Sequence, residues 1–135
     1  MANYSDGRYV DRISGADLHL PANLFRIVKL QADATNTTGR SVVLSTSASD
    51  NIFGVLNNTP YAGETASVCA RNAQGTFKVV ISANSTGVAI GDYLTVSSDS
   101  GAITTTTSGN QVLGIAQEAG VAGQVIEYLP ADNKY

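Results

Sequence analysis

Apolar residues along this chain come in short runs rich in β-branched side chains, divided by Gly, Asn, Asp and Ser. Leu24–Leu30 alternates: Phe25 and Ile27 point one way, and Leu24, Val28 and Leu30 the other. A period of two predicts a strand. The same reading predicts strands over Ser41–Thr46, Ile52–Leu56, Glu64–Ala70, Thr76–Ser82, Tyr93–Val96, Ala102–Thr107, Val112–Ala116 and Val125–Leu129. Gly54, inside an apolar run, marks a bulge or a close approach by another backbone. Turn signals lie between the runs, at Ser49–Asn51, Asn57–Gly63, Asn72–Gly75, Ala83–Gly87 and Ser97–Gly101. Val, Ile and Thr lose side-chain freedom in a helix and pack well on a pleated surface, so little helix is expected. The fold class is all-β: a single compact β-barrel or β-sandwich of about 8–10 short strands.

The pattern also repeats. With an offset of 60, Ile52-Phe53-Gly54-Val55-Leu56 falls on Val112-Leu113-Gly114-Ile115-Ala116, and Ala62-Gly63-Glu64 falls on Ala122-Gly123-Gln124. Such an echo predicts two copies of one unit. We read it as an internal pseudo-twofold repeat within one domain, with units over roughly residues 24–70 and 91–130. Thr76–Ser82 joins them. Residues 1–20 hold no steady period and concentrate Asp6, Arg8, Asp11, Arg12 and Asp17. They predict an extended N-terminal arm ahead of a β-rich domain over 21–135, with a plain first strand as the alternative. Pro130 is expected to stop the last strand.

Composition narrows function mainly by exclusion. The net charge is −3, and the Lys and Arg residues are scattered, so no phosphate-neutralising surface for nucleic acid is expected. No run reaches the length of a membrane span, and Met1–Asp6 lacks the pattern of a secretion signal. A protein made and kept in the cytoplasm is expected. Cys69 is the one cysteine. It reads as a small buried hydrophobe, with Arg71 on the same strand face leaving a reactive thiol as the lesser alternative. His19 is the one histidine, which leaves no partner for a triad or a metal site. The carboxylates are spread singly at turns, where they suit Asx chemistry, and no calcium-loop spacing occurs. No catalytic residue, cofactor or metal is expected, and the chain is read as no enzyme.

Tyrosines carry the remaining signal. Tyr4, Tyr9, Tyr61 and Tyr135 fall in predicted arm, loop or tail positions, where a core aromatic would be out of place. Tyrosine is enriched at interfaces. With Arg8, Arg12 and Pro60 these four form the candidate set for contacts with a partner or a second copy.

The order of motifs resembles that of the small capsid decoration, or cement, proteins of tailed bacteriophages, over residues 22–130. The resemblance rests on Phe25–Leu30, Asp50-Asn51-Ile52-Phe53-Gly54-Val55-Leu56, Ala62–Val68, Gly91-Asp92-Tyr93-Leu94-Thr95, Val112–Ala116 and Gly123–Leu129. It implies a structural virion protein bound to the outer surface of an icosahedral capsid, made in the host cytoplasm. It implies that the major capsid protein is the partner, that neighbouring capsid subunits are bridged, and that copies associate as homotrimers, with a dimer as the alternative. A carbohydrate- or receptor-binding β module of a phage particle is the competing reading.

Overall fold

The computed structural model describes residues 9–31 and 41–135. Tyr4, Arg8 and the polar run Asp33–Gly39, whose composition predicts a turn, lie outside the described residues. Among these residues the strands are β1 (Tyr9–Ser14), β2 (Ile27–Leu30), β3 (Ser41–Leu44), β4 (Ile52–Leu56), β5 (Thr65–Ala70), β6 (Phe77–Val80), β7 (Tyr93–Val96), β8 (Ala102–Thr104), β9 (Gln111–Ala116) and β10 (Val125–Lys134). A single 3-10 turn spans Pro21–Asn23. The all-β expectation holds.

Strands β1 to β5 close a barrel in the order β1-β3-β2-β4-β5. Strands β6 to β10 form a sheet in the order β6-β10-β9-β7-β8. The two orders are the same: β3-β2-β4-β5 corresponds to β8-β7-β9-β10, and β1 beside β5 corresponds to β6 beside β10. Closure corresponds too. Ser14 pairs with Val42 in parallel in the first unit, and a single parallel bridge joins Ile81 to Ala102 in the second. The described residues therefore form two five-stranded β units in tandem, a closed barrel followed by a sheet curled until its edges touch.

Four sequence expectations change. Tyr9–Ser14 is not an arm: it pairs antiparallel with β5 from Tyr9↔Cys69 to Ile13↔Thr65, and parallel with β3. Its alternation was hidden because Arg12 and Ser14 occupy inward positions with Val10. The Arg12 stem is half-buried, and its guanidinium lies over the Phe53 ring, 5.0 Å from the centroid. The repeat units are consequently longer than 24–70 and 91–130, and Thr76–Ser82 opens the second unit rather than joining two. Pro130 does not end β10. The strand runs on to Lys134 through an irregularity between Pro130 and Asn133, which absorbs the missing donor.

The first unit has a separate interior, and that of the second runs into the junction through Ile27, Ile52, Val55 and Cys69. In the first, Leu18, Val28, Val42, Leu56, Ala66 and Val68 pack together. Their counterparts Val88, Leu94, Ala102, Ala116, Ile126 and Tyr128 pack together in the second. Two glycines hold the same place in this frame. A Cβ on Gly54 would collide with the Cys69 carbonyl oxygen, and one on Gly114 with the Leu129 carbonyl oxygen. Both mark where the strand that follows crosses too closely for any side chain.

Candidate interaction surface

The first outward surface lies between the two units, where the first presents its wall. Ile27, Val55 and Cys69 form one outward row across β2, β4 and β5, paired Ile27↔Val55 and Val55↔Cys69. Directly paired residues share a face, and this face is buried by the second unit. The residues leading into β2 complete the junction. The Phe25 carbonyl accepts from Val80 N–H at 3.1 Å, and Ile27 N–H donates to the Ser100 carbonyl at 2.8 Å. Phe25–Ile27 thus lies along the seam of the second unit, between β6 and the β7–β8 turn. Arg26 donates to the Asp99 carbonyl and pairs with its carboxylate at 3.7 Å.

Arg71 fastens the same junction from within. Its guanidinium is buried and donates to the carbonyls of Val112 (2.7 Å), Ile52 (3.3 Å) and Asn133 (2.6 Å), and to Gln111 Oε1 (2.8 Å). Burial pulls its pKa down, and Asp132 at 3.6 Å works the other way. Arg71 therefore does not activate Cys69. That thiol is buried, accepts from Tyr128 O–H at 3.7 Å, and is pushed up to about 11 by burial, against the lowering effect of that hydrogen bond. A thiol so placed is inert at neutral pH.

The candidate set read from the sequence is dispersed over this body. Tyr9 lies at the junction, with its ring edge-on to Phe77 at 5.8 Å. Arg12 serves the first barrel. Pro60 is buried, and its carbonyl accepts from Leu18 N–H at 2.9 Å, so it shapes its loop from inside. Tyr61 stands out at 49% exposure, stacked on His19 with ring centroids 3.9 Å apart. Tyr135 lies across Tyr93 on the second unit, at 5.6 Å and edge-on.

Tyr61 has a counterpart the sequence reading missed. Its β4–β5 loop is held by Tyr61 N–H on Glu64 Oε1 (2.8 Å), by Glu64 N–H on the Tyr61 carbonyl (3.0 Å), and by Gly63 at φ 84°. The β9–β10 loop repeats this with Val121 N–H on Gln124 Oε1 (2.9 Å), Gln124 N–H on the Val121 carbonyl (3.1 Å), and Gly123 at φ 85°. The left-handed glycine is what lets each chain reverse so tightly. Each loop lifts one apolar side chain off the body: Tyr61 in one, Val121, at 60% exposure, in the other. Leu20, 66% exposed, extends the first tip beside His19. The Ala62-Gly63-Glu64 echo pointed to these loops, but nothing in it says that the preceding residue is aimed outward.

Among the described residues, no group of three or more His, Cys, Asp and Glu could hold a metal ion, and no helix is long and apolar enough to cross a membrane. Structure and site together define an all-β protein of two like units, a closed barrel and a curled sheet, with apolar loop tips. Comparison with solved structures finds the same fold in the head fiber gp8.5 N base of bacteriophage phi29, at a TM-score of 0.67 and 15% sequence identity, over 94% of this chain and 96% of that one. No family profile and no curated protein matches the sequence.

Proposed function

We propose that this chain is a structural protein of a phage particle that binds the outer surface of the capsid and bridges major capsid subunits. The observation that carries this is the pair of loops built to one plan, each lifting an apolar side chain, Tyr61 or Val121, from the body. Two modest contacts on one body bind a repeating lattice far more tightly than either alone, because the second becomes intramolecular. A protein that binds only the assembled shell stabilises that shell by mass action. The shared fold of the phi29 head fiber base, a protein of a phage head by its description, supports the virion reading. On this reading the chain is no enzyme and uses no cofactor. It is made in the host cytoplasm, associates as a trimer and engages neither nucleic acid nor membrane.

The test is co-sedimentation with purified cognate capsids. Paired substitution Leu20→Ser with Tyr61→Ser removes one tip, and Val121→Ser the other. Each is expected to weaken binding about tenfold or more, and the combination to abolish it. Undiminished binding by the combined variant overturns the reading. The exposed His19–Tyr61 stack favours a second reading, a carbohydrate-binding module. Retained glycan binding without capsid binding would select it.

A further inference from the structure

The repeat allows a direct comparison of what each unit does with its wall. In the first unit, the row Ile27–Val55–Cys69 is 0%, 1% and 3% exposed because the second unit covers it. In the second unit the same row is Tyr93–Ile115–Leu129, paired Tyr93↔Ile115 and Ile115↔Leu129. Tyr93 and Leu129 are each 40% exposed, and Ile115 is half-buried. An apolar row that is buried interface in one unit is partly exposed in the other, where Tyr135 lies edge-on to Tyr93 and nothing else among the described residues covers Leu129 to the extent that Cys69 is covered.

The other half of the contact is bare in the opposite sense. The first wall meets β6 of the second unit, where Val80 N–H takes the Phe25 carbonyl. The counterpart of Val80 is Ile13 on β1, since Val80 faces Val125 on β10 as Ile13 faces Thr65 on β5. Ile13 is 45% exposed, an apolar side chain on the outside of a barrel. Ile90 completes the set. It precedes Gly91 as Leu24 precedes Phe25, and Gly91 N–H bonds the Ala116 carbonyl as Phe25 N–H bonds that of Leu56. Leu24 lies in a groove with Val80, whereas Ile90 has 72% of its surface in solvent.

We infer that the exposed wall of the second unit docks by its side chains on β1 of the first unit of another copy of this chain, head to tail, as the first wall meets β6 within one chain. The main-chain bonds of that junction are not repeated, because Ile13 is already paired with Ser41. The occupant is set by the molecule itself, because among the described residues the surface that covers this type of wall is a β unit of the same plan. A contact that uses a different face on each side is heterologous, and it closes into a ring when its rotation permits. This deepens the self-association proposed above and rests on that reading. It is tested without capsids, so its failure is separate from a failure to bind them.

The experiment is mass by light scattering on the purified chain and on two variants, Leu129→Asp in the wall and Ile13→Asp on β1. The wild type is expected as a closed oligomer and each variant as a single chain with unchanged circular dichroism. Mixing the two variants is expected to restore one junction, since one still has an intact β1 and the other an intact wall, and to give a pair. A wild type that is a single chain at every concentration overturns the inference. So does an Ile13→Asp variant that keeps the full oligomer, or a mixture that gives no pair. If either aspartate variant fails to fold, Ile13→Cys and Ile90→Cys in separate chains serve instead. A short bismaleimide is expected to join these two chains to each other in preference to either with itself, and equal self-linking overturns the head-to-tail arrangement.

Discussion

The two units share a frame and differ in how they fill it. In the first interior Val68 and Ala66 are small, and Leu56, Val42 and Leu18 are larger than their counterparts. In the second, Tyr128 and Ile126 are large, and Ala116, Ala102 and Val88 are smaller. Bulk has moved from β3 and β4 in one unit to β10 in the other, so each space is filled by a different partition of a similar volume. Cores accept such exchanges when total volume and patterning are kept. What does not change is the backbone: the two crossing glycines, the two left-handed loop glycines and the paired loop hydrogen bonds. The repeat is therefore conserved in the positions that steer the chain and relaxed in those that occupy space.

This comparison can be broken at its shared points. Gly54→Ala and Gly114→Ala each place a methyl group against a carbonyl of the crossing strand, where no rotamer offers relief. Both are expected to cost about 4 kcal/mol or more, by urea denaturation, the range of severe packing defects. Similar losses at both sites would show that the two frames are equally strict. A tolerated substitution at one of them would show that its unit is not built on that crossing.

Exchanging interior volume gives a smaller effect. Tyr128→Val gives the second unit the side chain of the first without the larger neighbours that go with it. Loss of a fully buried ring is expected to cost about 3 kcal/mol, measured the same way. Adding Ala116→Leu, to restore the partition of the first unit, should recover part of that loss. No recovery would mean that the two interiors are not variants of one packing problem.

The smallest effect sharpens the junction. Burial would raise the Asp99 carboxyl, but the Ala83 N–H, the Ser82 hydroxyl, the Gly101 N–H and the Arg26 guanidinium outweigh it and hold it below its ordinary value. A depressed folded value contributes stability that is full above the ordinary 3.8 and lost as pH falls through the folded value. Asp99→Asn should therefore flatten the acid limb of a stability-versus-pH curve and leave neutral pH as the condition of greatest loss relative to wild type. An unchanged acid limb would remove Asp99 from the junction's electrostatics.

How far the sequence could be read follows the same division. Alternation exposed most strands, and Gly54 exposed the crossing in the first unit, because both are backbone requirements written in residue type. The echo of Gly54 at Gly114 was legible; its crossing was not. β1 stayed hidden because Arg12 and Ser14 stand where apolar residues would announce an inward face. The equivalence of β1 and β6 stayed hidden because its offset is 67, not 60, as Val10 facing Val68 and Phe77 facing Tyr128 show. The difference between the walls was not legible at all. Ile27, Val55 and Cys69 look no more buried as letters than Tyr93, Ile115 and Leu129, since what covers a face is decided by packing elsewhere in the chain. Of the candidate contact residues, Tyr61 lies at an exposed tip, whereas Pro60 and Arg12 serve the fold.

The buried guanidinium of Arg71 has a mechanical consequence. Its acceptors belong to both units, so any hinge motion at the junction stretches several short bonds at once instead of one after another. Such a joint yields little under small loads and then gives way abruptly. A body with this stiffness transmits force between its two ends without bending.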